Sequence, residues 1–221
     1  MLRQAASALF FGYLVGWRKL PHWLMKGGKT LPTAAGAIGM GCIGFPIHPV
    51  WEVTNACNLK CEQCHASSGK PLTGELSTEE GKNLLDSMAR IDEFRMLAFG
   101  GGEPLVRPDI LELVAYARSL GLEISIATNG TLLTPEMARE LKKLGVANIA
   151  VGLNANDERI HEQITRVPGS FARSKQGIYA TLEAGINLQI NTTVMKENRS
   201  AIPELLDFAS EVDAQIVLLY Q

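Results

Sequence analysis

The chain has 221 residues, 46% of them hydrophobic and 20% charged, and a net charge of -2. That is enough apolar material for a substantial core, and too even a charge balance for a nucleic-acid partner. Four cysteines, three of them crowded between Cys57 and Cys64, exclude a disulfide framework and point to metal binding in a reducing, cytoplasmic compartment.

Residues 1–48 form a segment of their own. An apolar run from Ala5 to Gly16 is followed by Trp17, Arg18, Lys19, Trp23, Lys26 and Lys29. The run is too short to span a bilayer and has no small-residue cleavage site behind it. It reads as a helix docked on the main domain, with contact to a membrane surface as the alternative. "AAGAIGMGCIGFP" then makes a glycine-rich connector ending near Pro46 and Pro49.

A second domain, residues 49–221, alternates short apolar runs with amphipathic stretches, the pattern of β-α units on a parallel sheet. "VWEVTNA" is the first strand. Ser77 and Glu80 form a capping box that opens a helix with Leu84, Leu85 and Met88 on one face. "RMLAFGG" is the second strand, and a helix over 109–120 places Leu111, Val114 and Ala117 at core spacing. "EISIATNG" is the third strand; Thr134 caps the next helix and Pro135 starts it, because a first turn has no use for the missing N–H. "NIAVGLN" and "LQINTTV" are the fourth and fifth strands, separated by a helix over 171–183, and a helix over 202–212 leads to the sixth strand, "QIVLLY". Gly121, Gly145 and Gly185 each fall between a helix end and the next strand, where a left-handed residue is favoured. Gln189, Asn191 and Thr193 give the fifth strand one polar face, which suits either a lumen holding a polar ligand or a closed hydrogen-bond network. Periodicity fits a barrel or a doubly wound sheet equally well; the expectation is an α/β fold, a partial (β/α)6 TIM-like barrel of parallel strands.

Cys57, Cys61 and Cys64 follow the first strand at its carboxyl end, where such folds place their chemistry. A 4Fe-4S cube takes four thiolates; three leave one iron for another ligand. C-x3-C-x2-C in this position resembles the signature of the radical S-adenosylmethionine (SAM) superfamily. In that family SAM chelates the fourth iron, an electron from the cluster splits its sulfonium, and the resulting 5'-deoxyadenosyl radical abstracts hydrogen from substrate.

Companion motifs extend the resemblance. "GGGEP" is similar to the family's GGEP loop and implies SAM binding by Gly101, Gly102, Glu103 and Pro104, with Glu103 accepting hydrogen bonds from the SAM ammonium. "ATNG" implies hydrogen bonds to SAM from Thr128 and Asn129. In "VGLNANDERIHEQITRVPGSF", Asn154 stands where relatives have aspartate, and Arg166 matches an arginine that pairs with the SAM carboxylate. The details look most like the SPASM/Twitch-related group, which acts on peptides, proteins or tetrapyrrole precursors. The resemblance also implies a ferredoxin- or flavodoxin-type electron donor.

Three departures stand out: Gln63 where many members place an aromatic, Asn154 in place of a carboxylate, and an end of chain at the sixth strand. The last leads to the expectation of an incomplete enzyme fragment, with apolar exposure near Ile216 and Leu218. The rival reading is a structural zinc module closed by Cys42, a residue otherwise read as a buried free thiol. His65 reads as a loop residue.

Overall fold

The computed structural model describes residues 49–91 and 96–221; the expected N-terminal helix, the connector and Cys42 lie outside them. Six strands form one sheet: β1 (Val50–Glu52), β2 (Met96–Gly100), β3 (Glu123–Thr128), β4 (Val146–Gly152), β5 (Asn187–Thr193) and β6 (Ile216–Tyr220). They lie side by side in chain order, and every neighbouring pair is parallel. The crossovers carry α1 (Thr78–Ala89), α2 (Ile110–Ser119), α3 (Pro135–Lys143), α4 (Glu158–Thr165), α5 (Ser170–Glu183) and α6 (Ile202–Glu211).

Strand order decides between the two architectures that periodicity left open. A doubly wound sheet reverses its order at a switch point and so places helices on both faces. Here the order never reverses, and right-handed crossovers then put every helix on the same face. Side chains follow that division. Leu97, Phe99, Ile124, Ile126, Ile149, Val151, Leu188 and Ile190 are buried in one core with Leu85, Leu113, Leu141, Ile178 and Leu205 from the helices. The alternate residues Ala98, Gly100, Ser125, Ala127, Ala150 and Gly152 are small, with Gln189 and Asn191 beside them on β5. The result is a partial TIM-like barrel whose inner face is lined by small side chains and is polar on one side. On that face the Gln189 amide donates to Asn191 Oδ1 at 2.7 Å and the Asn148 amide donates to Ser125 Oγ at 3.0 Å, so part of the polarity is satisfied internally.

Local signals behave as their chemistry requires. Ser77 and Glu80 make both bonds of the capping box, and Thr134 caps α3 with Pro135 in its first turn. Gly121, Gly145 and Gly185 adopt φ of +85°, +81° and +67°. Two features differ from expectation. β1 ends at Glu52, because the carbonyls of Thr54 and Ala56 turn to accept the N–H groups of Gly102 and Glu103, each at 2.8 Å. The helix α4 was not foreseen, although Asp157 caps it by accepting from Ile160 N at 2.8 Å. On β6 the exposed apolar side chains are Leu219 and Tyr220, with Ile216 and Leu218 half-buried.

Candidate metal and cofactor site

The loop from Cys57 to Cys64 caps the carboxyl end of β1, and the two loops beside it in space follow β2 and β3. Arg107 and Glu75 hold the approach to it. The buried Arg107 guanidinium donates to Val53 O at 2.7 Å and Leu76 O at 2.8 Å while paired with Asp109. Glu75 accepts from Thr54 Oγ1 at 2.8 Å and Asn55 N at 2.7 Å, bonds that lower its pKa. Neither residue carries a motif, and neither was singled out in the sequence.

All three thiols are free and half-buried. Leu59 N–H donates to Cys57 Sγ at 3.4 Å and Ser68 N–H to Cys64 Sγ at 3.3 Å. Burial raises Cys57. Burial, and then the negative charge of Cys57 and Cys64, push Cys61 up to about 11. Burial also raises Cys64, but donors from Ser68, Ala66 and Ser67 outweigh it and leave that thiol below its ordinary value. Thiols that repel one another in this way are suited to a positive group that would neutralise them.

The second loop explains its glycines. A Cβ on Gly101, whose φ is +127°, would stand 2.3 Å from Thr54 O, and one on Gly102 would stand 2.4 Å from Ala56 O. Only glycine lets this backbone lie against the cysteine loop. Pro104 then starts a short 3-10 turn, Pro104–Val106. Glu103 is fully buried, and its Oε1 accepts from Leu105 N at 3.0 Å and Thr128 Oγ1 at 2.8 Å, its Oε2 from Asn129 N at 2.7 Å. Burial pushes its carboxyl up to about 7 against the pull of those donors. A side chain closed to solvent and held by three donors staples the second and third loops together. Thr128 is likewise engaged, its hydroxyl bonded to Glu103 and to Gly130 N.

The third loop is held from behind by α5. Ser174 Oγ donates to Asn129 O at 2.7 Å, and a Cβ on Gly177 would fall 2.3 Å from Gly130 O. These small residues three apart on one helix face were the missed signal. In front, the Asn129 side chain meets Asn58 and Cys57 of the cysteine loop.

The fourth contact comes from α4. Its last carbonyls, Ile164 O and Thr165 O, accept from Glu62 N at 2.9 Å and Lys60 N at 3.1 Å, which satisfies groups that every helix end leaves open. Arg166, left-handed at φ +58°, ends the helix with its guanidinium 3.5 Å from the Glu62 carboxylate and more than half exposed. Such a surface pair is weak, so the arginine stands beside the cysteine loop with its charge little committed. Asn154 is buried; its Oδ1 accepts from Gln63 Nε2 at 3.1 Å, and its N–H donates to Nδ1 of the fully buried His161 at 3.2 Å. The structure thus gathers Cys57, Cys61, Cys64, Gly101, Gly102, Asn129, Asn154 and Arg166 round one end of the sheet.

This donor set fits an iron-sulfur cluster. Among the described residues no three Cys, His, Asp or Glu side chains close round a single ion. Ligands of a cube bind separate irons and stand further apart than those of a lone tetrahedral cation, an arrangement that three thiols spaced along one loop can provide.

The model of the Radical SAM superfamily matches residues 51–209, and the chain belongs to that superfamily. Its enzymes use a 4Fe-4S cluster and SAM. The chain is 40% identical over 165 residues to an AdoMet-dependent heme synthase of Methanosarcina barkeri, covering 74% of this chain and 47% of that protein. It is 36% identical over 174 residues to the mycofactocin maturase MftC of Mycobacterium tuberculosis, covering 77% and 44%. Streptococcus suis SuiB bound to its precursor peptide SuiA shares the fold, with a TM-score of 0.69 at 23% identity, over 80% of this chain and 40% of that one. The chain therefore spans less than half the length of these relatives.

Proposed function

We propose that the chain forms the cluster- and SAM-binding part of a radical SAM enzyme, with Cys57, Cys61 and Cys64 holding a 4Fe-4S cluster. The observation that carries this reading is the convergence of the loops after β2 and β3 on a loop that bears three free thiols. When bound, the cluster supplies the single electron that cleaves the SAM sulfonium and starts hydrogen abstraction from substrate.

The chain's own part is placement. Gly101 and Gly102, followed by Pro104, offer backbone at close range, with Glu103, Thr128 and Asn129 fixing the loops on which that backbone lies. Asn154 holds Gln63 toward the cluster loop, and Arg166 supplies the positive charge suited to the SAM carboxylate. The substrate we propose is a tetrapyrrole, the class named for the heme synthase of higher identity. A peptide is the second reading, favoured by the likeness to MftC and to SuiB with its bound peptide. A ferredoxin- or flavodoxin-type protein donates the electron, and a reducing, cytoplasmic setting suits three free thiols. No helix of the described residues is long and apolar enough to cross a membrane.

The test is anaerobic reconstitution. Wild-type protein is expected to turn brown, take up about four irons per chain and cleave SAM under strong reductant, while Cys57→Ala, Cys61→Ala and Cys64→Ala lose the colour. A colourless wild-type preparation rich in zinc would refute the proposal and favour the zinc reading. Tetrapyrrole and precursor-peptide substrates, supplied in parallel, separate the two substrate readings by which one accelerates SAM consumption.

A further inference from the structure

We infer that Asn129 acts on the metal side of the site, directing an amide N–H at the sulfur of Cys57 and thereby raising the reduction potential of the cluster held there. This rests on the assignment of Cys57 as a cluster ligand.

Every polar atom of Asn129 is accounted for. Its main-chain N–H donates to Glu103 Oε2 at 2.7 Å, and its carbonyl accepts from Ser174 Oγ at 2.7 Å. Oδ1 accepts from Thr131 N at 2.9 Å and from Thr131 Oγ1 at 2.6 Å. A backbone N–H only donates, so the side-chain atom facing Thr131 N is the oxygen, and the NH2 end is settled by the chemistry. One proton of that NH2 goes to Asn58 Oδ1 at 2.8 Å; the other is directed at Cys57 Sγ, 3.9 Å away.

The orientation is reinforced by a ring. Asn129 donates to Asn58, Asn58 Nδ2 donates to Thr131 Oγ1 at 2.8 Å, and the Thr131 hydroxyl donates back to Asn129. All three donors run the same way round, so each bond polarises the next. An amide so fixed is a permanent dipole aimed at one sulfur, with little freedom to turn toward a ligand.

The three sulfurs are consequently unequal. Cys57 receives Leu59 N–H and, from the third loop, the Asn129 amide, whereas Cys64 receives main-chain N–H groups of its own loop, Ser68 among them. Reduction places electron density on the irons and their sulfurs, and a donor on a sulfur stabilises that density. Losing the Asn129 amide therefore favours the oxidised form.

The experiment is a redox titration of reconstituted protein, monitored by electron paramagnetic resonance, without SAM. Asn129→Ser removes the amide and adds no charge; its midpoint is expected to fall, by a factor approaching tenfold in the reduction equilibrium, or about 59 mV for one electron. Asn58→Ala breaks the ring but leaves Asn129 pinned by both bonds from Thr131, so its midpoint is expected to stay at the wild-type value. Equal midpoints in wild type and Asn129→Ser, or equal shifts in the two variants, would overturn the inference. Should Asn129→Ser take up no iron, Asn129→Asp keeps both bonds from Thr131 and must shift the midpoint negative; an unmoved midpoint, or failure of both variants to load, overturns it equally. Failure of wild-type protein to load refutes the cluster assignment instead, so the two claims fail separately.

Discussion

Glu103→Gln tests the buried staple most sharply, because the change is nearly isosteric. Oε1 of Glu103 faces Leu105 N–H and Oε2 faces Asn129 N–H. Whichever way the glutamine amide turns, its NH2 meets a backbone donor that can accept nothing. A buried N–H left without an acceptor costs about 1–3 kcal/mol. Protonated glutamate avoids this cost: a carboxyl O–H at Oε1 donates to Thr128 Oγ1 while both oxygens still accept. The folded carboxyl stands at about 7, against 4.5 for the model group, so the folded state binds the proton more tightly than the unfolded chain does. Its contribution to stability is thus full below about 4.5 and is lost as pH rises through about 7. Linkage makes the loss between pH 5 and 8 about 2–3 kcal/mol. Urea unfolding of metal-free wild type and variant, followed by circular dichroism at both pH values, measures it. The wild type is expected to exceed the variant at pH 5 and to lose most or all of that advantage at pH 8. A gap that is constant with pH, or absent at pH 5, would refute the reasoning.

His161 provides the opposite slope. Burial lowers its pKa from 6.5 to about 4, so the unfolded chain takes up the proton first, and stability held above about 6.5 drains as pH falls toward 4. The loss is roughly 3 kcal/mol; His161→Leu is expected to flatten that limb in urea titrations while lowering stability near neutrality, since Asn154 N–H loses its acceptor. Gly177→Ala places a methyl 2.3 Å from Gly130 O and forces α5 or the third loop to move. A destabilisation of about 1–3 kcal/mol is expected in thermal unfolding, together with poorer iron retention than in Gly121→Ala, where the added carbon meets nothing within 4 Å.

How far the sequence could be read depended on the reach of each interaction. The capping box at Ser77, the Pro135 start of α3 and the three helix-ending glycines arise between residues a few positions apart, and all stand where they were expected. α4 was overlooked because "DERIHEQIT" is short and polar, although Asp157 announced it. Arg107 and Glu75 escaped because their partners are backbone atoms of distant residues, which leave no mark on local pattern. Glu103 and Asn129 stand in the loops expected of them, but their bonds to Thr128 and Asn58 left no mark on local pattern.

The amino-acid order was sufficient to mark where the candidate site lies. Thiol spacing, glycine pairs and strand periodicity are local properties, and they marked a three-cysteine loop at the mouth of parallel strands. Folding was needed to settle which atoms face which. The amide of Asn129 meets Asn58 across 71 positions and Glu103 meets Thr128 across 25, contacts that exist only once β1, β2 and β3 lie side by side. Burial then closed the Glu103 carboxylate off from solvent. Side-chain alternation along the chain marks each strand locally, but the neighbours of a buried polar atom are chosen by the sheet that assembles around it.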